Sequence, residues 1–141
     1  HEQIKKVLNN LIDNAIKYSP DGSMLTIRSS EIGNSVKIEI EDQGVGMTSD
    51  EIKSLFSRFY RAKNDATTRI IGTGLGLYLV KYFVEQIHHG TVSVQSKPGL
   101  GSTFVITLPI EQKEAEYAPG LSIDLLENKG TKNRAGEPKD V

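Results

Sequence analysis

Apolar residues near the start of the chain recur at helical intervals. Ile4, Val7, Leu8, Leu11, Ile12, Ala15 and Ile16 lie i, i+3, i+4 and i+7 apart. At about 100° per residue they form a single stripe, which predicts an amphipathic helix with one buried face. Ser19-Pro20-Asp21-Gly22 ends it, because proline disfavours helical geometry in the residue before it. Met24 to Ser29 then reads as a strand. Val36, Ile38 and Ile40 alternate with Lys37, Glu39 and Glu41, the period of a strand with one face buried and one wet. Gly33-Asn34 between the two runs suits a hairpin turn.

Thr48-Ser49-Asp50-Glu51 offers a helix N-cap followed by acidic first-turn residues, so a short helix carrying Ile52 and Leu55 is expected. Arg61 to Thr73 has little periodicity and is expected to be a mobile loop. Leu75 to Ile87 predicts a second long helix, with Leu79, Val80, Phe83, Val84 and Ile87 on one side. Val92 and Val94, then Phe104, Ile106 and Leu108, predict two more alternating strands joined by Pro98-Gly99-Leu100-Gly101. From Glu111 the pattern fails. That segment holds seven acidic and five basic residues, three glycines, two prolines and one aromatic, so 111–141 is expected to be a disordered tail behind a folded domain over 1–110. Leu121 to Leu126 could add no more than a brief helical turn. This order of elements predicts an α+β fold: a two-layer α/β sandwich with a mixed, mostly antiparallel sheet and one helical layer.

Composition narrows the functional classes. A chain of 141 residues suits one domain with a real core, and 25% charged residues at a net charge of −1 give no basic field for nucleic acid or a polybasic membrane anchor. There is no cysteine, which excludes disulfides and thiolate metal sites. Three histidines, two of them adjacent, do not make a zinc site without further ligands. His88-His89 falls near a helix end and is read as helix-end electrostatics. No apolar run approaches 18 residues and nothing resembles a signal peptide. The chain opens at His1 inside an amphipathic pattern, so a larger parent protein is expected.

Four stretches carry candidate chemistry. On the first helix, Asn10, Asn14 and Lys17 share a face almost opposite the apolar stripe. Amide oxygens suit Mg²⁺, which takes oxygen ligands and keeps several waters, and a lysine one turn on can neutralise a phosphate. The outer face of any amphipathic helix is polar, however, so taken alone this run reads first as a solvated surface. Asp42-x-Gly44-x-Gly46 follows the alternating strand. Its glycines let a ligand approach the main chain, and its carboxylate can accept a hydrogen bond from an exocyclic amine such as that of adenine; an ordinary strand-to-helix turn would look the same. Gly72-Thr73-Gly74-Leu75-Gly76-Leu77 fits neither the dinucleotide fingerprint nor a P-loop. It leaves a flexible backbone feeding a helix N-terminus, which favours phosphate; a flexible connection with no ligand is the alternative. In Phe56-Ser57-Arg58-Phe59-Tyr60-Arg61 the two arginines could reach phosphates while Phe56 and Phe59 anchor the loop's root in the core; an aromatic core with surface arginines is the plainer reading.

Together these residues resemble the catalytic, ATP-binding domain of sensor histidine kinases, within the wider group that includes gyrase, Hsp90 and MutL ATPases. Asn10 to Pro20 resembles the N box, Asp42 to Met47 the G1 box, Leu55 to Arg61 the F box and Gly72 to Leu77 the G2 box. Gly99-x-Gly101-Ser102-Thr103-Phe104 is similar to the family's closing glycine motif. The resemblance spans residues 1 to about 110, with the motifs in order. It implies a Bergerat-type sandwich with ATP between the helices, beneath a lid over about Arg61 to Thr73. Carried over residue by residue, Asn14 and Asn10 would hold Mg²⁺ and Lys17 would lie near the phosphates. Tyr18 would lie along the adenine ring, Asp42 would receive its amino group, and Gly44 and Gly46 would leave room for the base. Gly72, Gly74 and Gly76, with Thr73, Leu75 and Leu77 between them, would wrap the phosphates, helped by Arg58 or Arg61.

The ATP-hydrolysing relatives place a glutamate base where Asn10 stands. An amide does not take a proton from water at neutral pH, so the resemblance implies transfer of the γ-phosphoryl group to another nucleophile rather than hydrolysis. The implied acceptor is a histidine on a separate dimerising domain of the parent, and a response regulator is the indirect partner. A cytoplasmic position without direct membrane contact follows for this segment. Departures from the pattern are Gln43 for the commoner asparagine, His89-Gly90-Thr91 without the usual second glycine, and no Thr-Pro after His1-Glu2 to make an acceptor motif. A serine kinase of the anti-sigma type and a degenerate module used only for protein contacts are the rival readings.

Overall fold

The computed structural model describes residues 1–61 and 74–110. The elements run α1 (Glu2–Lys17), β1 (Thr26–Ile32), β2 (Ser35–Asp42), α2 (Ser49–Ser54), α3 (Gly76–Lys81) continued by a π-helical segment (Tyr82–Ile87), β3 (Thr91–Ser96) and β4 (Ser102–Pro109). The predicted tail and the predicted loop beyond Arg61, with Gly72 and Thr73, lie outside the described residues.

One four-stranded sheet has the order β1-β2-β4-β3. All three pairings are antiparallel, so the mixed element of the expectation is not needed among the described strands. Gly33 and Asn34 close the β1–β2 hairpin, Ile32 pairing with Ser35, as the turn signal predicts. The first strand starts two residues later than expected and runs on to Ile32. It forms an edge of the sheet and is mostly exposed.

Helices cover one face of the sheet. Val7, Leu11 and Ala15 of α1, Val80 of α3 and Val84 of the π segment meet Ile40, Phe104, Ile106 and Leu108 of β2 and β4, and Leu55 closes the cluster beyond α2. These strand residues occupy alternate positions, so the period-2 reading of β2 and β4 gives the inward face directly.

Two expectations are corrected here. Val7, Leu11 and Ala15 are the buried residues of α1, whereas Ile16 is 62% exposed. The buried line is therefore turned away from Ile16, toward Asn14 and Asn10, which stand half-buried on its flank and not opposite it, while Ile4, Leu8 and Ile12 pack partly buried against the core. Phe59 is 70% exposed with a positive φ of 59°, so Phe56 alone roots its segment in the core, edge-to-face on Phe104 at 6.5 Å. The second long helix forms as expected but widens. The His88 N–H donates to the Phe83 carbonyl and the Gly90 N–H to Val84. A wider turn lowers the rotation per residue, which keeps Val80, Val84 and His88, each four apart, on the inward line.

Candidate nucleotide site

Asp42 is the last residue of β2, where the strand brings it level with Ser102 at the start of β4. It is 7% exposed. Its Oδ1 accepts hydrogen bonds from the Gly44 N–H at 2.8 Å and the Ser102 N–H at 3.2 Å. Among the described residues none donates to Oδ2. Burial raises the pKa of the carboxyl above the ordinary carboxylate value; the two backbone donors oppose the rise and the neighbouring Glu41 charge adds to it.

Three segments converge on the loop that follows. The Tyr18 carbonyl, just past the end of α1, accepts from the Val45 N–H at 3.1 Å, and a Cβ on Gly44 would run into that same carbonyl. From the other side, the Gly99 N–H donates to the Val45 carbonyl at 2.7 Å. Gly46 has φ +68°, and a Cβ there would fall on the Lys97 carbonyl oxygen. A Cβ at Gly44 or Gly46 would strike the protein's own main chain, so both glycines allow this close approach of turns, beside the room for a base that the resemblance implies. Gln43 has a local task too, its Oε1 accepting from the Met24 N–H at 3.2 Å.

The second half of the site lies between α1 and α3. A Cβ built on Gly76 would meet the Asn10 Oδ1 at 3.4 Å, so the start of α3 packs directly on the Asn10 amide. Asn14 follows one helical turn later on the same flank. Lys17 is exposed in the last turn of α1, where a cation complements the helix dipole. Gly74, at φ +74°, lies against the Phe59 main chain, 2.7 Å from where its Cβ would stand. The chain therefore leaves at Phe59 and returns at Gly74 side by side. Leu75 precedes the first turn of α3, and Leu77 packs against the core.

Arg58 is placed differently. Its Nη2 donates to the Tyr78 hydroxyl at 2.8 Å, and its guanidinium stacks 4.7 Å from that ring's centre. Tyr78 is two residues beyond Gly76, about 200° around the helix, so Arg58 stands across α3 from the Asn10 side. Tyr78 lines an outer cleft of about 370 Å³ with Lys53, Phe56, Lys81, Tyr82 and Glu85, and that cleft touches neither Asp42 nor Asn14. Arg61 is exposed. His88 is buried at the helix end, and among the described residues no three His, Cys, Asp or Glu side chains group as metal ligands.

Ser96 and Ser102 have no role in the sequence reading, yet both join the Asp42 loop to the β3–β4 turn. The Gly99-x-Gly101-Ser102 run was the available signal, since paired glycines mark a turn that something else approaches closely.

No described helix is long and apolar enough to cross a membrane. The family described as histidine kinase-, DNA gyrase B- and HSP90-like ATPase matches residues 1–112. The sensor-like histidine kinase SenX3 of Mycobacterium tuberculosis is 42% identical over 102 residues, which are 72% of this chain and 25% of that protein. The solved structure of the mycobacterial sensor histidine kinase MprB superposes with a TM-score of 0.66 at 31% identity, covering 77% of this chain and 70% of that one. Full-length ShkA in complex with AMPPNP gives a TM-score of 0.65 at 25% identity, covering 80% of this chain and 22% of that one. The chain spans 21% and 25% of the length of two curated relatives it matches. With its sheet order, its Asp42 loop and its paired asparagines in place, the chain belongs to the histidine kinase-, DNA gyrase B- and HSP90-like ATPase family, as a catalytic ATP-binding domain of the histidine-kinase type.

Proposed function

We propose that this domain binds Mg²⁺-ATP and hands its γ-phosphoryl group to a histidine on a separate helical domain of a larger sensor kinase, from which it passes to a response-regulator aspartate. The observation that carries this reading is the Asp42 carboxylate. One oxygen is held by two main-chain donors, and the other is left to accept a hydrogen bond from the adenine amino group. The AMPPNP complex of ShkA, a protein of the same fold, supports an adenine nucleotide as the ligand.

Asn10 and Asn14 fit a hard divalent ion. Their amide oxygens sit one turn apart on the half-buried flank of α1, and Mg²⁺ takes one or two protein oxygens while keeping its waters. The ion, when bound, would draw charge from the phosphates. Lys17 adds a point charge near the triphosphate, and Tyr18 flanks the base. Gly74 and Gly76, before and at the start of α3, add main-chain contacts to the phosphates, and Arg61 adds positive charge. Asn10 offers no base for water, so the bound γ-phosphoryl group waits for an incoming imidazole nitrogen. Phosphoryl transfer asks mainly for placement and charge stabilisation. A cytoplasmic setting, where ATP is abundant, fits this role.

Titration calorimetry with ADP and ATP, with and without Mg²⁺, tests the reading. Saturable binding that tightens with Mg²⁺ is expected. Titrations that stay silent at millimolar nucleotide would overturn it.

A further inference from the structure

We propose that Ser96 is a positioning residue for adenine recognition, its hydroxyl clasping the Asp42 loop to the β3–β4 turn so that Asp42 presents its open oxygen to the base. The inference rests on the adenine reading of Asp42 given above.

Ser96 is the last residue of β3 and pairs with Ser102. Its Oγ accepts from the Met47 N–H at 2.8 Å, lies 2.9 Å from the Gly101 carbonyl and 2.8 Å from the Ser102 Oγ. A hydroxyl has one proton and two lone pairs, which fixes the arrangement. The Gly101 carbonyl has no proton to give, so Ser96 donates to it. Ser102 then donates to Ser96, whose two lone pairs are filled by Met47 N–H and the Ser102 hydroxyl. Every hydrogen-bonding capacity of Ser96 is used.

The circuit closes on Asp42. Ser102 is held by its hydroxyl to Ser96 and by its main-chain N–H to Asp42 Oδ1. Met47 ends the loop that Asp42 begins. A Cβ on Gly101 would fall on the Asp42 carbonyl oxygen, so the turn and the loop are already in contact there. Removing the Ser96 hydroxyl strands the Met47 N–H and frees the Ser102 hydroxyl, while the β3–β4 ladder still pairs the main chains of Ser96 and Ser102. The β2–β4 ladder still holds the Asp42 main chain, so the loss falls on the loop and on the aim of Oδ2.

Calorimetry with ADP and inosine diphosphate, which carries oxygen in place of the 6-amino group, separates aim from general damage. The unsubstituted chain should favour ADP by about 10-fold or more. In Ser96→Ala that preference should shrink by about 5-fold, the worth of one net hydrogen bond, with affinity for inosine diphosphate within about 2-fold of its starting value. Ser96→Thr, which keeps the hydroxyl, should keep the preference. If the unsubstituted chain binds both nucleotides alike, the adenine reading of Asp42 fails and the clasp goes with it. If it prefers ADP, three results overturn the clasp alone: an undiminished preference in Ser96→Ala, a parallel loss for both nucleotides, or loss of its folded circular-dichroism spectrum.

Discussion

Asp42 holds a carboxylate whose two oxygens face different demands. Oδ1 organises the loop, while burial raises the cost of the charge that Oδ2 would offer a ligand. Below the ordinary value of 3.8 the group is neutral in both folded and unfolded chains. As pH rises from there toward the raised folded value, the unfolded chain gives up its proton first, and the folded state loses stability. Above that value the loss is constant, so the free protein carries it at neutral pH. Asp42→Asn keeps an acceptor for Gly44 and Ser102 and removes the charge. Its unliganded form should therefore melt higher than the unsubstituted chain at pH 7, with the gap closing as pH falls to 3.8. Its ADP affinity should nonetheless drop about 10- to 150-fold, because an amide N–H₂ would meet the adenine amine donor to donor and about 1.5–3 kcal/mol is lost. Thermal melts across pH and calorimetry check the pair of effects; a lower melting point at pH 7 would mean the charged hydrogen bonds outweigh burial. Asn14→Ala tests the metal side. It should leave ADP binding without Mg²⁺ nearly unchanged and abolish most of the gain that Mg²⁺ brings, and equal losses in both titrations would count against ligation.

Among the elements, α2 shows how local chemistry sets a boundary. The Thr48 Oγ1 accepts from the Glu51 N–H, and the Glu51 carboxylate accepts from the Thr48 N–H at 2.7 Å, a complete capping box. No residue within α2 is buried, so the helix depends on this cap to deliver Leu55 to the core. Thr48→Ala should cost about 1 kcal/mol, or about 4–8 °C in melting temperature for a domain near 100 residues, measured by circular dichroism. A shift under one degree would place the helix's support elsewhere. That cap, the hairpin at Gly33-Asn34 and the alternation in β2 and β4 were legible because each is written in neighbouring residues. The orientation of α1 was not, since its seven apolar residues are averaged by periodicity while only three are fully buried and Ile16 faces outward. Periodicity also missed the widened π turn, which depends on His88 and Gly90 bonding back to Phe83 and Val84. The glycines of the Asp42 loop were found, but their tight approach to Tyr18 and Lys97 comes from segments far away in sequence.

At the scale of the whole molecule, the described fold ends close to where the family match ends. Among the described residues, the buried core runs from Val7 to Leu108. The last ladder pair is Ser35 with Pro109, and the Ile110 N–H donates to the Asn34 carbonyl at 3.0 Å, tying the end of β4 to the β1–β2 hairpin. The family match stops two residues further on. The segment after it is rich in charge and poor in aromatic and β-branched residues, a composition from which no packed structure is expected. If that expectation holds, a chain ended at Gln112 should melt within about 2 °C of the full 141 residues, a change below about 0.5 kcal/mol. Its ADP affinity should stay within about 2-fold, because the Asp42 loop, the α1 asparagines and the β3–β4 turn are all retained. Calorimetry and a circular-dichroism melt on the two chains decide the matter. A loss of affinity near 10-fold with the melting temperature unchanged would show that residues 113–141 reach the nucleotide itself. A matched fall in both would show instead that they complete the core, and in either case the domain would have to be drawn past Ile110.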